Sequence, residues 1–181
     1  MIEAVVDTVF DLGYLGFFFY MIVVGTFIPL PTQLILIPSG YLVSQGKLDF
    51  ATIVVVTSTG TTIGALINYH LSHFLSKRLM NGNKLKKIEK FFKKYGKISV
   101  FLAPLTFGLG QYISIPAGVT KMPLSWFIPL IFLSNSIWNS AMLTLGYLFG
   151  TSVEKEVGYL AMGGVTFVVI LVSTLIYKEL K

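Results

Sequence analysis

The chain has 181 residues, 54% of them hydrophobic and 12% charged, with 14 basic residues against 8 acidic ones and a mean hydropathy of +0.77. That is too apolar and too poor in charge for an ordinary water-soluble domain, and the lack of cysteine excludes disulfides and thiolate metal sites. Five stretches without Asp, Glu, Lys or Arg (12–46, 50–76, 98–120, 122–153 and 157–177) each have the length that crosses a hydrocarbon core of about 30 Å.

Residues 2–24 open amphipathically, with Glu3, Asp7 and Asp11 four apart on one helical stripe, and become wholly apolar through Phe17, Phe18, Phe19 and Tyr20. Such a helix either spans the bilayer or lies at its surface. The same acids stand where a cleavable signal peptide needs a basic region, so insertion without cleavage is expected. The following stretch cannot be one straight helix. Pro29, Pro31 and Pro38 each remove a backbone donor and disfavour helix in the residue before them. Broken backbone at membrane depth is tolerated only where protein or a water-filled cavity covers it, so a re-entrant hairpin is expected, with its tip near Pro29–Gln33. A half-helix over about 32–42 then returns to the surface at Lys47 and Asp49, and residues 50–76 cross.

Nine of the 14 basic residues fall between Lys77 and Lys97, with Glu89 the only acid among them, which places this loop in the cytoplasm. Within it Ile88, Phe91, Phe92 and Tyr95 recur at helical spacing, while Lys86, Lys87, Lys90, Lys93, Lys94 and Lys97 take the other faces. The segment reads as a surface helix, apolar face down on the membrane, with its lysines toward anionic headgroups. A nucleic-acid partner is not implied, because the aromatics are needed for the apolar face.

After the loop the order repeats. Residues 98–118 are apolar but interrupted by Pro104, Gly108, Gly110 and Pro116; Lys121 marks a surface, and 124–150 cross. Shifted by 78 positions, Gln33, Ile35, Ile37, Pro38 and Gly40 fall on Gln111, Ile113, Ile115, Pro116 and Gly118, and Ile53, Ser58 and Tyr69 on Ile131, Ser136 and Tyr147. The expected fold is an all-α integral membrane protein, one domain over 1–181. It comprises repeat 1 (about 25–76), the basic segment 77–97, repeat 2 (about 98–150) and a C-terminal transmembrane helix 157–177. A hairpin does not change sides and a crossing does, so the second unit should be inverted relative to the first. Inverted repeats with discontinuous helices characterise secondary transporters, with the site where the broken tips meet near the midplane.

Phe27-Ile28-Pro29-Leu30-Pro31, Ile37-Pro38-Ser39-Gly40-Tyr41, the glycine-containing helix from Gly60 to Tyr69, Phe92–Gly96, Gln111-Tyr112-Ile113-Ser114, Pro116-Ala117-Gly118, Met122, Trp138 and Gly146-Tyr147 together look like one known pattern. Over nearly all of its length the chain resembles the DedA family, also called SNARE-associated or VTT-domain membrane proteins. Members of that family move polyprenyl-phosphate or phospholipid between leaflets, some with proton dependence, and eukaryotic relatives act as scramblases. The resemblance therefore implies lipid translocation in the plasma membrane of a prokaryote. The family's charged positions are neutral here: its two acids fall on Val24 and Gln33, its two arginines on Pro104 and Gly110, and the proline between them on Phe107. Losing one arginine would strand a buried carboxylate, whereas losing the whole set leaves no charge unpaired. Carboxylate-based proton coupling is expected to be absent.

The substrate path is expected to use Thr32, Gln33, Ser39 and Gly40 from the first half-helix, and Gln111, Tyr112, Ser114 and Gly118 from the second. Half-helix N-termini pointing inward suit a phosphate without arginine. The competing reading is that these polar groups only satisfy backbone freed by the prolines. Gly60, Gly64 and Asn68 share a stripe that usually means close helix packing, and Asn68 is also expected on the substrate path. Asn135 and Asn139 beside Trp138 either pack or line a headgroup groove. His70 and His73 make a poor metal site. With no nucleophile elbow, phosphate loop or ligand cluster, neither an enzyme nor a cofactor is expected. A channel would need more polar residues on the long helices. A non-transporting lipid-binding scaffold is the alternative, and self-association of copies stays open.

Overall fold

The protein is described here by a computed structural model that covers residues 2–26, 28, 30–72, 74, 82–105 and 110–150. The expected helix over 157–177, the breakers Pro29 and Gly108, His73, and the side chains of Lys86, Lys87, Lys93 and Gln111 lie outside the described residues.

The molecule is all-helical over those residues. The N-terminal segment is two helices rather than one, α1 (Ile2–Asp11) and α2 (Tyr14–Gly25). Gly13 breaks it with φ +56, a left-handed conformation that costs glycine little. The chain doubles back so closely that a Cβ on Gly16 would overlap the Val9 carbonyl, and Phe10 meets Phe17 edge to face at 5.3 Å. α3 (Gln33–Ser44) follows the proline break, close to the expected half-helix. The Tyr20 hydroxyl donates to the Pro31 carbonyl at 3.2 Å and ties the break back to α2. At 12 residues each, α2 and α3 reach only about 18 Å, a little over half a hydrocarbon core.

α4 (Phe50–His70) is the first helix long and apolar enough to span. Asp49 caps it by accepting from the Thr52 amide at 2.7 Å and the Thr52 hydroxyl at 2.6 Å. α5 (Gly82–Leu102) carries the basic segment and runs five residues past Lys97, directly into a 3₁₀ turn at Ala103–Leu105. Here the structure corrects one residue of the apolar face expected for this segment. Phe92 does not join Tyr95 on one membrane-facing side; it is buried with Val100 against the protein, because α5 packs on the two helices that follow.

A second 3₁₀ turn (Gly110–Tyr112) returns against the first, so close that a Cβ on Gly110 would lie 2.7 Å from the Pro104 Cα. α6 (Ser114–Val119) is half the length of α3 and begins three residues after Gln111. α7 (Leu124–Gly150) is the second helix long enough to span. α3 and α6 end alike. Lys47 N–H bonds the Leu42 carbonyl past a left-handed Gly46, and Met122 N–H bonds the Ala117 carbonyl past a left-handed Lys121. Lysine pays a steric penalty for φ +52 that glycine does not, so Lys121→Gly should raise stability by about 0.5–1 kcal/mol in a detergent unfolding assay.

Ile53 clusters with Met142 and Leu143, Asn139 reaches Thr57 and Ser58, and Ala65 clusters with Phe127 and Ile131, so α4 and α7 run antiparallel. Around this pair the other elements are exchanged. α2 packs on α4 and α5 on α7, while α3 packs on α7 and α6 on α4. Each half-helix thus sits on the long helix of the other unit. Polarity is distributed as lipid requires, with Val55, Ile67, Leu133, Ile137, Leu148 and Phe149 exposed, and Thr57, Ser58, Asn68, Ser134 and Asn139 buried. Lipid tails are as apolar as these helices, so close backbone approach and interhelical hydrogen bonds hold the bundle rather than hydrophobic burial.

Candidate functional site

Two apolar clusters lie along the α4–α7 pair. One joins α1, α2 and α3 to Ile53, Met142 and Leu143; the other joins Phe92 and Val100 of α5 and Ala117 of α6 to Ala65, Met122, Phe127 and Ile131. Between them is a polar seam. The Asn139 amide donates to the Thr57 hydroxyl at 3.1 Å and to the Ser58 hydroxyl at 3.2 Å, with all three side chains buried. Thr57 in turn donates to the Ile53 carbonyl at 2.6 Å, and Asn135, one turn from Asn139, to the Ile131 carbonyl at 2.9 Å. Thr57 and Asn135 are equivalent under the 78-residue shift, so the seam lies where the two units face each other. Asn139→Leu removes both interhelical bonds and should cost about 1–2 kcal/mol, measured by unfolding in detergent.

Above and below the seam the half-helices are seated by equivalent glycines. A Cβ on Gly40 would overlap the Leu143 carbonyl and crowd Gly146 and Tyr147, and one on Gly118 would overlap the Tyr69 carbonyl and crowd Ser72. Tyr69 and Tyr147 are themselves equivalent, so the two seats are reciprocal. The Tyr69 hydroxyl reinforces one of them, donating to the Met122 carbonyl at 2.6 Å.

The remaining expected residues divide by place. Thr32 occupies the N-cap position of α3 without a side-chain cap bond; Gln33 opens the helix, half-buried, and Pro31 is exposed just before it. Ser39 is fully buried and donates to the Ile35 carbonyl at 2.6 Å, which steadies α3 beside Pro38. Gln111 and half-buried Tyr112 lie in the 3₁₀ turn, and Ser114 and Pro116 are buried in α6. Six residues sum too short a dipole to favour an anion as α3 does. Asn68 donates to the Gly25 carbonyl at 3.3 Å, where Gly60 and Gly64 receive α2 in close contact, as helix packing predicts. Lys90, Lys94 and Lys97 are exposed, the last with its ammonium 3.4 Å from the Trp126 ring centroid. Thr57, Ser58, Thr62 and Ser134 were not singled out by sequence reading. Ser58 was legible through its pairing with Ser136, whereas an isolated Thr or Ser in an apolar helix otherwise gives no signal.

Among the described residues no three His, Cys, Asp or Glu side chains gather as a metal site. Thr52 holds the Asp49 carboxyl below the usual carboxylate range, first through its hydroxyl and then through its amide, so this exposed acid stays charged.

A sequence profile of the VTT domain matches residues 30–148. An alkaline phosphatase-like protein of Lactococcus lactis subsp. cremoris is 30% identical over 174 residues, covering 88% of this chain and 81% of the relative. Undecaprenyl phosphate transporter A of Bacillus subtilis is 29% identical over 161 residues, covering 83% of this chain and 79% of that protein. The Staphylococcus aureus protein of the same name is 23% identical over 191 residues, covering 98% and 94%. No solved structure matches the chain.

Proposed function

Because the chain belongs to the VTT-domain, or DedA, family of membrane proteins, we propose that it moves a phospholipid or polyprenyl-phosphate headgroup between leaflets without carboxylate-based proton coupling. The observation that carries this reading is the neutral polar seam of Asn139, Thr57 and Ser58, buried between two antiparallel spanning helices and flanked by reciprocally seated half-helices. Such a seam gives a headgroup hydrogen-bond partners at mid-depth while its tail stays in the surrounding lipid. The names of two relatives, both undecaprenyl phosphate transporter A, support a phosphate-bearing headgroup.

The architecture that goes with this reading is an inverted repeat of two re-entrant hairpins and two crossings. It is supported by the antiparallel α4–α7 pair, the half-length α2 and α3, and the stacking of Gly110 on Pro104, which folds the second break back on itself. The basic segment 77–97 and the C-terminus lie in the cytoplasm in this arrangement. The absence of coupling is supported by Val24, buried at 1% exposure where the resemblance implies an acid, and by Asp49, which is fixed as a helix cap at the surface. Hydrolysis, which the name of the Lactococcus relative suggests, finds no nucleophile elbow or metal-ligand cluster in the sequence to support it.

One observation favours the scaffold alternative. The Asn135 and Asn139 amides are already engaged within the protein, so freeing Asn139 for a headgroup requires α4 and α7 to part. Dithionite quenching of fluorescent phospholipid in proteoliposomes separates the two. A transporter exposes inner-leaflet label well above the rate in empty vesicles, whereas a scaffold leaves about half of it protected.

A further inference from the structure

Among the described residues, α5 is packed against protein through one face. Phe92, Gly96 and Val100, four residues apart, turn inward, with Phe92 at 4% and Val100 at 0% exposure. Tyr95, Ile98 and Leu102, three and four apart, form an exposed apolar stripe at 40%, 59% and 48%. Lys90 and Lys94, also four apart and exposed, lie beside that stripe, and on the far side of Lys94 the ammonium of Lys97 rests on Trp126. A helix with protein on one side, large apolar groups on the second and lysines along their border is built to lie in a headgroup layer.

The helix is also mechanically continuous with the second hairpin. Leu102 leads without a loop into the Ala103–Leu105 turn, whose Pro104 abuts Gly110, and Ser134 of α7 holds the Phe101 carbonyl. Any shift of α5 in the headgroup layer moves the arm that stacks on the second break.

We propose that α5 is a sensor of leaflet charge. Its Tyr95–Ile98–Leu102 stripe inserts among acyl chains, Lys90 and Lys94 bind anionic headgroups, and that contact sets the position of the second hairpin and thereby the transport rate. The occupant is an anionic lipid surface rather than a protein, because nine basic residues against one acid between Lys77 and Lys97 complement that surface. The effect on rate rests on the transport reading above; the contact itself does not.

The test uses the full chain in vesicles of phosphatidylcholine alone and of phosphatidylcholine with about one third phosphatidylglycerol, with fluorescent phosphatidylcholine as reporter so that the moving lipid is never the anionic one. Anionic vesicles should raise the exchange rate at least about threefold, below the ceiling of about thirtyfold that two lysines at a charged surface set. They should also slow hydrogen exchange of amides 94–102. In Lys90→Gln/Lys94→Gln both ratios should fall to about one. Equal rates and equal protection in the two vesicles overturn the proposal, as does a double variant that responds like the parent. Full protection of 94–102 in neutral vesicles also overturns it, since another segment then covers the stripe. If no chain exchanges lipid, the transport reading fails, and amide protection alone decides whether the charge-dependent contact exists.

Discussion

Gly40→Leu is expected to abolish the folded protein rather than to impair it. Even a bare Cβ at this position overlaps the Leu143 carbonyl oxygen and crowds the backbone of Gly146 and Tyr147, so no rotamer of any side chain relieves the contact. α3 would have to leave α7, which forfeits the packing that stands in for hydrophobic burial inside lipid. Overpacking alone costs about 1–3 kcal/mol, and displacement of a whole helix adds to it, so a loss of about 3 kcal/mol or more is expected. Size-exclusion profiles and thermal unfolding in detergent measure this. Gly118→Leu, at the reciprocal seat against Tyr69, should behave alike. Gly96→Ala should cost far less, because an added Cβ meets the Phe92 ring at 3.0 Å rather than overlapping backbone. A well-folded Gly40→Leu with unchanged melting would mean that the α3–α7 crossing is not what holds the two units together.

The second large effect is on activity. The Gln33→Leu/Gln111→Leu double variant should keep its helical content and melting temperature while exchange of phosphate-bearing lipid falls at least about tenfold, the scale of one or two lost hydrogen bonds to a charged group. Gln33 is half-buried in the first turn of α3, where amide donors are unpaired and the helix dipole favours an anion. Gln111 is its equivalent, in the 3₁₀ turn before α6. If the two amides only satisfy backbone around the prolines, the result reverses, with melting falling and exchange per folded molecule unchanged.

Some of this architecture was legible because single residues dictate it. Pro31 bars helix in the residue before it, and α3 starts at Gln33, within a residue of expectation. Leu124–Gly150 begins directly after Pro123 and matches the expected crossing. Other features depend on contacts distant in sequence. Nothing local says that Gly13, one glycine in an apolar run, adopts a positive φ, or that Phe92 turns inward while Tyr95 faces out. The start of α6 at Ser114 has a local cause. Pro116 takes the third position of α6, in the first turn where its missing donor is not needed, whereas Pro38 takes the sixth of α3 and leaves one bond of that helix unmade.

The candidate site divides in the same way. Asn135 and Asn139 stood out because an amide in an apolar helix needs a partner. That Asn139 finds Thr57 and Ser58, and so joins a seam rather than an open groove, follows from α4 and α7 crossing antiparallel at those positions. The charge positions implied by the family resemblance gain a steric reading. Gly110 stacks on Pro104, so the places expected for two arginines are filled by each other's backbone, and restoring an arginine at 110 would disrupt the hairpin.

The central claim, lipid movement through a neutral seam, is tested most directly by reconstituting the chain and following fluorescent phospholipid and polyprenyl phosphate with and without an imposed pH gradient. The account predicts exchange of a phosphate-bearing lipid well above that of empty vesicles, equal in both directions and unmoved by the gradient. Exchange no faster than in empty vesicles, or net flux that follows the proton gradient, would contradict it.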